Sequence, residues 1–136
     1  MNYKESVEGL TVHSSEELAA TAPIDSVTRH DLEAAEHTTT VLFTGPAGRA
    51  RTHIHSEHDE VCALLTGSGT ITIGAETRAM HAGDIVVIPA GLPHSAHFHE
   101  RYRMLSVYGP FDDPAAPDRE WVEDPPDSGG GMSSVG

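Results

Sequence analysis

The stretch Thr52–Leu64, THIHSEHDEVCAL, gathers three histidines and three acids at the entrance of what otherwise reads as a β-strand. Side chains alternate faces along a strand, so His53 and His55 point one way and Ile54 the other. Two imidazoles on one face can share a cation. Glu60 opens the apolar run that follows, where an inward carboxylate is costly unless it meets a metal or a counter-charge. Downstream, GDIVVIPAGLPHSAHFH sets a Gly- and Pro-rich turn before His94, which enters another strand. Three neutral imidazoles and one carboxylate form a mixed N/O donor set. Such a set suits one divalent transition metal ion, Fe, Mn, Zn, Ni or Cu, with water or substrate in the remaining positions.

The elements that must carry these residues are strands. From Thr38 to Tyr108 the chain runs through TTTVLFTG, EVCALLTGSG, TITIG, DIVVIPAG and RMLSVYG, with turns about every eight to twelve residues. This all-β rhythm predicts a sandwich or barrel. Before it, Ser14 followed by Glu17 three residues on forms the reciprocal cap of a short N-terminal helix. The chain therefore divides into a polar N-terminal extension over 1–36, a β-barrel domain over 37–111 and a Pro/Gly/Asp-rich tail over 112–136. The last ten or so residues of the tail are expected to be disordered, being too polar to bury. Trp121 and Val122 are the exceptions, expected to pack on the barrel or on a partner subunit.

At 136 residues the chain has the length of one domain. Its 21 acids against 8 basic residues give a formal charge of −13, which repels phosphate backbones and anionic lipids. Nucleic acid and membrane are excluded as expected partners, and a small-molecule substrate or ligand is left. MNYKESVEGL lacks the basic and apolar runs of a signal peptide, and Cys62 is the single cysteine. A cytoplasmic location is expected.

The residues resemble the two motifs of the cupin superfamily. His53, His55, Glu60 and Gly67 follow the first: His-x-His, four residues, Glu, six residues, Gly. Gly83, Pro89, Gly91 and His94 follow the second, and the fifteen residues between Gly67 and Gly83 match the short spacing of compact microbial members. The resemblance covers roughly residues 40 to 108. It implies a small single-domain cupin, a jelly-roll β-barrel holding one metal ion through His53, His55, Glu60 and His94. Two positions depart from the pattern: Ala47 stands where the first motif has its leading glycine, with Gly48 beside it, and Phe98 stands where many members carry asparagine. Phe98 shares strand parity with His94, which makes the pocket greasier near the metal and favours an aromatic or apolar substrate portion.

Other residues are candidates for the chemistry around such a site. Arg51 has the parity of His53 and His55, and its guanidinium could hold a carboxylate or enolate at the barrel mouth, or could pair with a surface acid. His97 and His99 fall on the face opposite His94, and with His58 in the polar turn they read as solvated or rim histidines. A rim imidazole titrates near neutral pH and could act as acid or base. Glu60, Arg51, His97 and His99 are thus the catalytic candidates. Tyr102, Met104, Ser106 and Tyr108 share a face of the last barrel strand and line the pocket or fill the core; Phe98, Tyr102 and Met104 are the pocket candidates. Cys62 reads as a buried, inert thiol. Gly67, Gly83 and Gly91 read as turn glycines with positive φ.

Cupins host dioxygenases, isomerases, cyclases, lyases and non-catalytic binders, so the fold alone leaves the function open. The expected function is a metal-dependent enzyme acting on a small oxygenated organic molecule. An oxygenase is preferred because a 3-His-1-Glu site with open positions suits Fe(II). The alternatives are a non-redox cyclase, isomerase or lyase of the polyketide-cyclase kind, and a sensing module that binds without turnover. Exposed strand edges and the resemblance together predict a homodimer.

Overall fold

Alternation of apolar and polar residues along short segments gives strands with one inward face, and two such faces must meet. A computed structural model describes residues 11–21 and 25–122 and the backbone of 132–133. In chain order it contains α1 (Ser15–Thr21), β1 (Thr28–Ala34), β2 (Thr39–Gly45), β3 (Gly48–Ile54), β4 (Asp59–Thr66), β5 (Ser68–Ile73), β6 (Glu76–His81), β7 (Ile85–Ile88), β8 (His94–Phe98), β9 (Tyr102–Gly109), β10 (Glu120–Trp121) and β11 (Met132–Ser133). One sheet runs β1-β2-β9-β4-β7 and the other β10-β3-β8-β5-β6, with β11 also paired to β3. This is the all-β architecture expected from the strand rhythm and the jelly roll that the family resemblance implied, with a short helix ahead of it.

The alternation is cleanest in β9, where Tyr102, Met104, Ser106 and Tyr108 are buried and the residues between them are half-buried. Together with Val41, Phe43, Leu64, Ile71, Met80 and Phe98 they form the core between the sheets. Ser14 caps α1 as expected, its Oγ accepting from the Glu17 amide at 3.0 Å. Leu18 of α1 packs with Leu32, Leu42 and Leu105, covering the β1-β2-β9 end of one sheet's outer face. Among the described residues no helix is long and apolar enough to cross a membrane.

The sheets extend past the expected limits of the barrel. β1 lies inside the segment read as a polar extension and pairs with β2 through a bulge between Asp31 and Glu33. On the other side β10 pairs with β3, setting Trp121 against His53. Disorder was expected for the last ten residues, which lie outside the described residues apart from Met132–Ser133.

Candidate metal centre

Each cluster residue arrives from a strand or its end. His53 is on β3 and His55 just beyond it, Glu60 is on β4 and His94 begins β8. The β3–β8 register pairs His53 with His94 directly. The turn before β8 is pinned to the same region: the Gly91 amide donates to the His55 carbonyl at 2.8 Å, and the Ala90 amide to Asp59 Oδ1 at 2.8 Å. Gly91 sits at φ 86°, a conformation that side chains with a Cβ rarely adopt. The result is one buried group in which a donor atom of each residue lies within 4.8 Å of the others.

Backbone carbonyls set the direction of the imidazoles. His53 Nδ1 contacts the Arg51 carbonyl at 2.7 Å, His55 Nδ1 the Asp118 carbonyl at 2.6 Å, and His94 Nδ1 the Leu92 carbonyl at 3.1 Å. A carbonyl only accepts, so each Nδ1 carries the proton. Each Nε2 is then the unprotonated nitrogen of the neutral ring, the arrangement second partners impose on metal-binding histidines.

The carboxylate is oriented in the same way. Glu60 Oε2 accepts from Ser106 Oγ at 2.7 Å, Tyr108 Oη at 3.1 Å and Cys62 Sγ at 3.1 Å. That leaves Oε1, which lies 3.1 Å from His55 Nε2 and 3.5 Å from His94 Nε2. Oε1 and these two Nε2 atoms are buried without a hydrogen bond of good geometry. Buried polar atoms left this way are costly, and a cation among them would satisfy all three. The four residues therefore fit a divalent transition metal.

Burial, with His94 next, pushes the His53 imidazole down to about 4, so it is neutral near pH 7. Burial alone would raise the Glu60 carboxyl, but the adjacent His55 and His94 outweigh it and hold the group well below the usual carboxylate range. For His55, burial disfavours the charged ring while Glu60 favours it more, and the net shift is upward. Burial and the neighbouring Glu60 push the Cys62 thiol well above its ordinary value, in keeping with an inert cysteine.

A cavity of about 20 Å³ adjoins the cluster, lined by His53, Glu60, His94 and the apolar side chains of Ile71, Phe98 and Met104, among others. It has room for about one water-sized molecule. Ile71 also borders a wider outer cleft of about 310 Å³, formed with Ile73, Glu76, Arg78 and Leu92. Of the pocket candidates, Phe98 and Met104 line the inner cavity. Tyr102 does not: it stacks on Phe98 with ring centroids 3.6 Å apart and fills the core.

Arg51 and His58 are placed differently from the expectation, whereas His97 and His99 lie on the face opposite His94 as read from strand parity. The register shift between Ala50 and His53 puts both of those residues inward, so the parity that would have carried Arg51 inward is lost. Arg51 is exposed, and its guanidinium lies 4.9 Å from the Trp121 ring centroid. Arg78 on β6, exposed and paired with Glu76, borders the outer cleft, and Arg51 does not. His97 is on the outer face of the six-stranded sheet with His99 beside it, their rings 5.1 Å apart and directed away from the cluster. His58 is not a solvated turn residue: its Nδ1 lies 2.6 Å from Asp118 Oδ2 and its Nε2 3.0 Å from the Phe111 carbonyl.

Sequence reading passed over Asp118. Its carbonyl orients His55, and its carboxylate accepts from the Ser56 and Glu57 amides at 3.2 and 2.7 Å. Nothing local in EWVEDPPD or the residues before it announces a contact across some sixty positions.

Comparison with known proteins agrees with the geometry. A family model described as Cupin domain matches residues 41–108. Uncharacterized protein SCO3923 of Streptomyces coelicolor is 34% identical over 70 residues, spanning 51% of this chain and 67% of that protein. The crystal structure of the conserved SPY1581 protein of unknown function from Streptococcus pyogenes superposes with a TM-score of 0.64 at 26% identity, covering 81% of this chain and 96% of that one. An uncharacterized conserved protein with a double-stranded β-helix domain from Klebsiella pneumoniae reaches 0.68 at 19% identity, covering 83% and 97%. At that identity the likeness is one of fold.

Proposed function

The chain belongs to the Cupin domain family, and on that footing we propose that it is a metal-dependent enzyme acting on a small oxygen-bearing organic molecule. The observation that carries the reading is the alignment of donors: three Nδ1 atoms on backbone carbonyls and one carboxylate oxygen held by Ser106, Tyr108 and Cys62. His53, His55, Glu60 and His94 hold one divalent ion in this reading. When bound, the ion supplies Lewis-acid polarisation of substrate oxygens and, as Fe(II), access to dioxygen chemistry.

The chain's own residues do the rest. Ile71, Phe98 and Met104 exclude bulk water from the inner cavity, and the outer cleft takes the body of the substrate. An oxygenase is preferred over a non-redox cyclase, isomerase or lyase because three imidazoles and one carboxylate, with positions left for other ligands, suit Fe(II). A homodimer belongs to the same reading. Val61, Ile85 and Val87, exposed by 41, 68 and 61%, form an apolar outer face at edge strand β7.

Anaerobic purification followed by metal analysis tests the site, with His55→Ala as the comparison. The expected result is one transition metal ion per chain in the parent protein and strong depletion in the variant; full retention in the variant overturns the assignment. Oxygen uptake with candidate diketones and phenols then separates the reaction classes. Product without oxygen uptake supports the non-redox alternative, and stoichiometric binding without product supports a sensor.

A further inference from the structure

We infer that Asp118, in the segment after the family-matched region, is a positioning residue for His55, and that through it this segment sets the affinity of the cluster for its cation. The inference rests on the metal-site reading above and extends it to residues that reading does not use.

The three imidazoles differ in where their Nδ1 acceptors come from. His53 and His94 use carbonyls two residues earlier in the chain, Arg51 and Leu92. These acceptors exist wherever the local backbone is formed. His55 uses the carbonyl of Asp118, 63 residues away, at 2.6 Å. Its ring direction therefore depends on whether a separate segment is docked.

Asp118 is built to stay docked. The residue that offers its carbonyl to His55 also offers both carboxylate oxygens to the turn after His55: Oδ1 to the Ser56 amide, Oδ2 to the Glu57 amide and to His58 Nδ1. Its own amide donates to Asp112 Oδ1 at 2.9 Å. Asp112 is buried and doubly tied to β2, its amide donating to Thr39 Oγ1 at 2.9 Å and its carbonyl accepting from that hydroxyl at 2.7 Å. Beyond Asp118, β10 pairs with β3, and the Val122 amide donates to the Thr52 carbonyl at 3.0 Å. The segment is anchored on both sides of the carbonyl that faces His55.

An acceptor on the second nitrogen fixes the tautomer and the ring angle of a metal-binding histidine. Loss of such a partner typically weakens metal binding about 10- to 100-fold. Removing the Asp118 carboxylate takes away the three contacts that press this carbonyl onto His55, to the Ser56 and Glu57 amides and to His58, while all four cluster side chains stay unsubstituted. A segment that merely sealed the free edge of β3 would contribute to stability and leave metal affinity unchanged.

The test uses the full chain with Asp118→Ala, Asp118→Asn and His58→Gln, the last two keeping side-chain size in case the alanine variant fails to fold. Zn²⁺ and Co²⁺ affinities are measured by chelator competition. In metal-free protein, exchange of the His55 Nδ1 proton is followed by ¹⁵N-edited NMR. The expected result is binding weaker by about 10- to 100-fold in Asp118→Ala, with loss of the protected His55 signal and unchanged His53 and His94 signals. Parental affinity in a folded Asp118 variant, or a His55 Nδ1 proton as protected as in the parent, overturns the inference. A parent protein that binds neither ion overturns the metal reading itself and the affinity claim with it, a result distinct from equal binding by parent and variant.

Discussion

Ser106 Oγ lies 2.7 Å from Oε2 of Glu60, so a neutral hydroxyl on β9 decides which carboxylate oxygen turns toward the histidines. Tyr108 and Cys62 donate to the same oxygen. All three donors stay matched if Oε2 becomes an amide oxygen, while the other position becomes an NH₂ that cannot bind a cation.

Glu60→Gln is therefore expected to keep the fold and lose the metal. Circular dichroism should be unchanged, and metal content after dialysis should fall at least about tenfold, the scale at which metal sites respond to the loss of even a supporting partner. Unaltered metal retention would show that Glu60 is structural.

His58 gives the attachment of the C-terminal segment a pH dependence. Both partners of its ring, the Asp118 carboxylate and the Phe111 carbonyl, are acceptors, so both nitrogens carry protons. Partial burial opposes the charge, but Asp118, Phe111 and nearby Asp112 outweigh it and raise the imidazole above its ordinary 6.5. Burial likewise opposes ionisation of Asp118, and His58 with the Glu57 and Ser56 amides lowers it below 3.8. A raised histidine stabilises fully below its unfolded value and loses that contribution as pH rises through the folded one. A lowered aspartate stabilises above its unfolded value and loses that as pH falls through the folded one. The pair contributes most between 3.8 and 6.5. The melting-temperature gap between parent and His58→Gln should be widest near about pH 5.5 and shrink by about pH 9; a gap that grows with pH contradicts the assignment.

Phe98→Ala should be the most damaging single change near the cavity. The ring is 2% exposed, stacks on Tyr102 and walls the cavity beside His94. Truncation of a buried phenylalanine costs about 3–5 kcal/mol. Denaturant unfolding measures it, and a loss below about 1 kcal/mol would mean that the site collapses to fill the void.

Val87→Lys tests the outer face of β7. Val87 pairs with Val61, and both side chains are exposed. If two copies meet there, a lysine in each should shift sedimentation from dimer to monomer without lowering the unfolding midpoint of the monomer. A dimer that survives the substitution uses another surface.

The cluster itself was legible because its geometry is local to paired strands. Period-two alternation fixed the inward faces of β4, β8 and β9, and the spacing of Glu60 and His94 followed from the turns between strands. Arg51 was misread because a single extra residue in β3 reverses parity, and no residue type marks the bulge. β1 was missed because TRHDLEA is polar on an edge, where only Leu32 is buried. The role of Asp118 was illegible for a different reason: it depends on a contact across 63 residues, and its own neighbourhood of Pro and Asp reads as linker.

The chain has one tryptophan, and Trp121 sits with its ring centroid 5.7 Å from that of His53, flanked by the guanidinium groups of Arg51 and Arg119 at 4.9 and 4.6 Å. Its fluorescence is thereby a native optical gauge of the site. A paramagnetic ion arriving at His53 should dim it, and release of the β10 edge should red-shift it, so loading and undocking can be timed separately in one unlabelled sample.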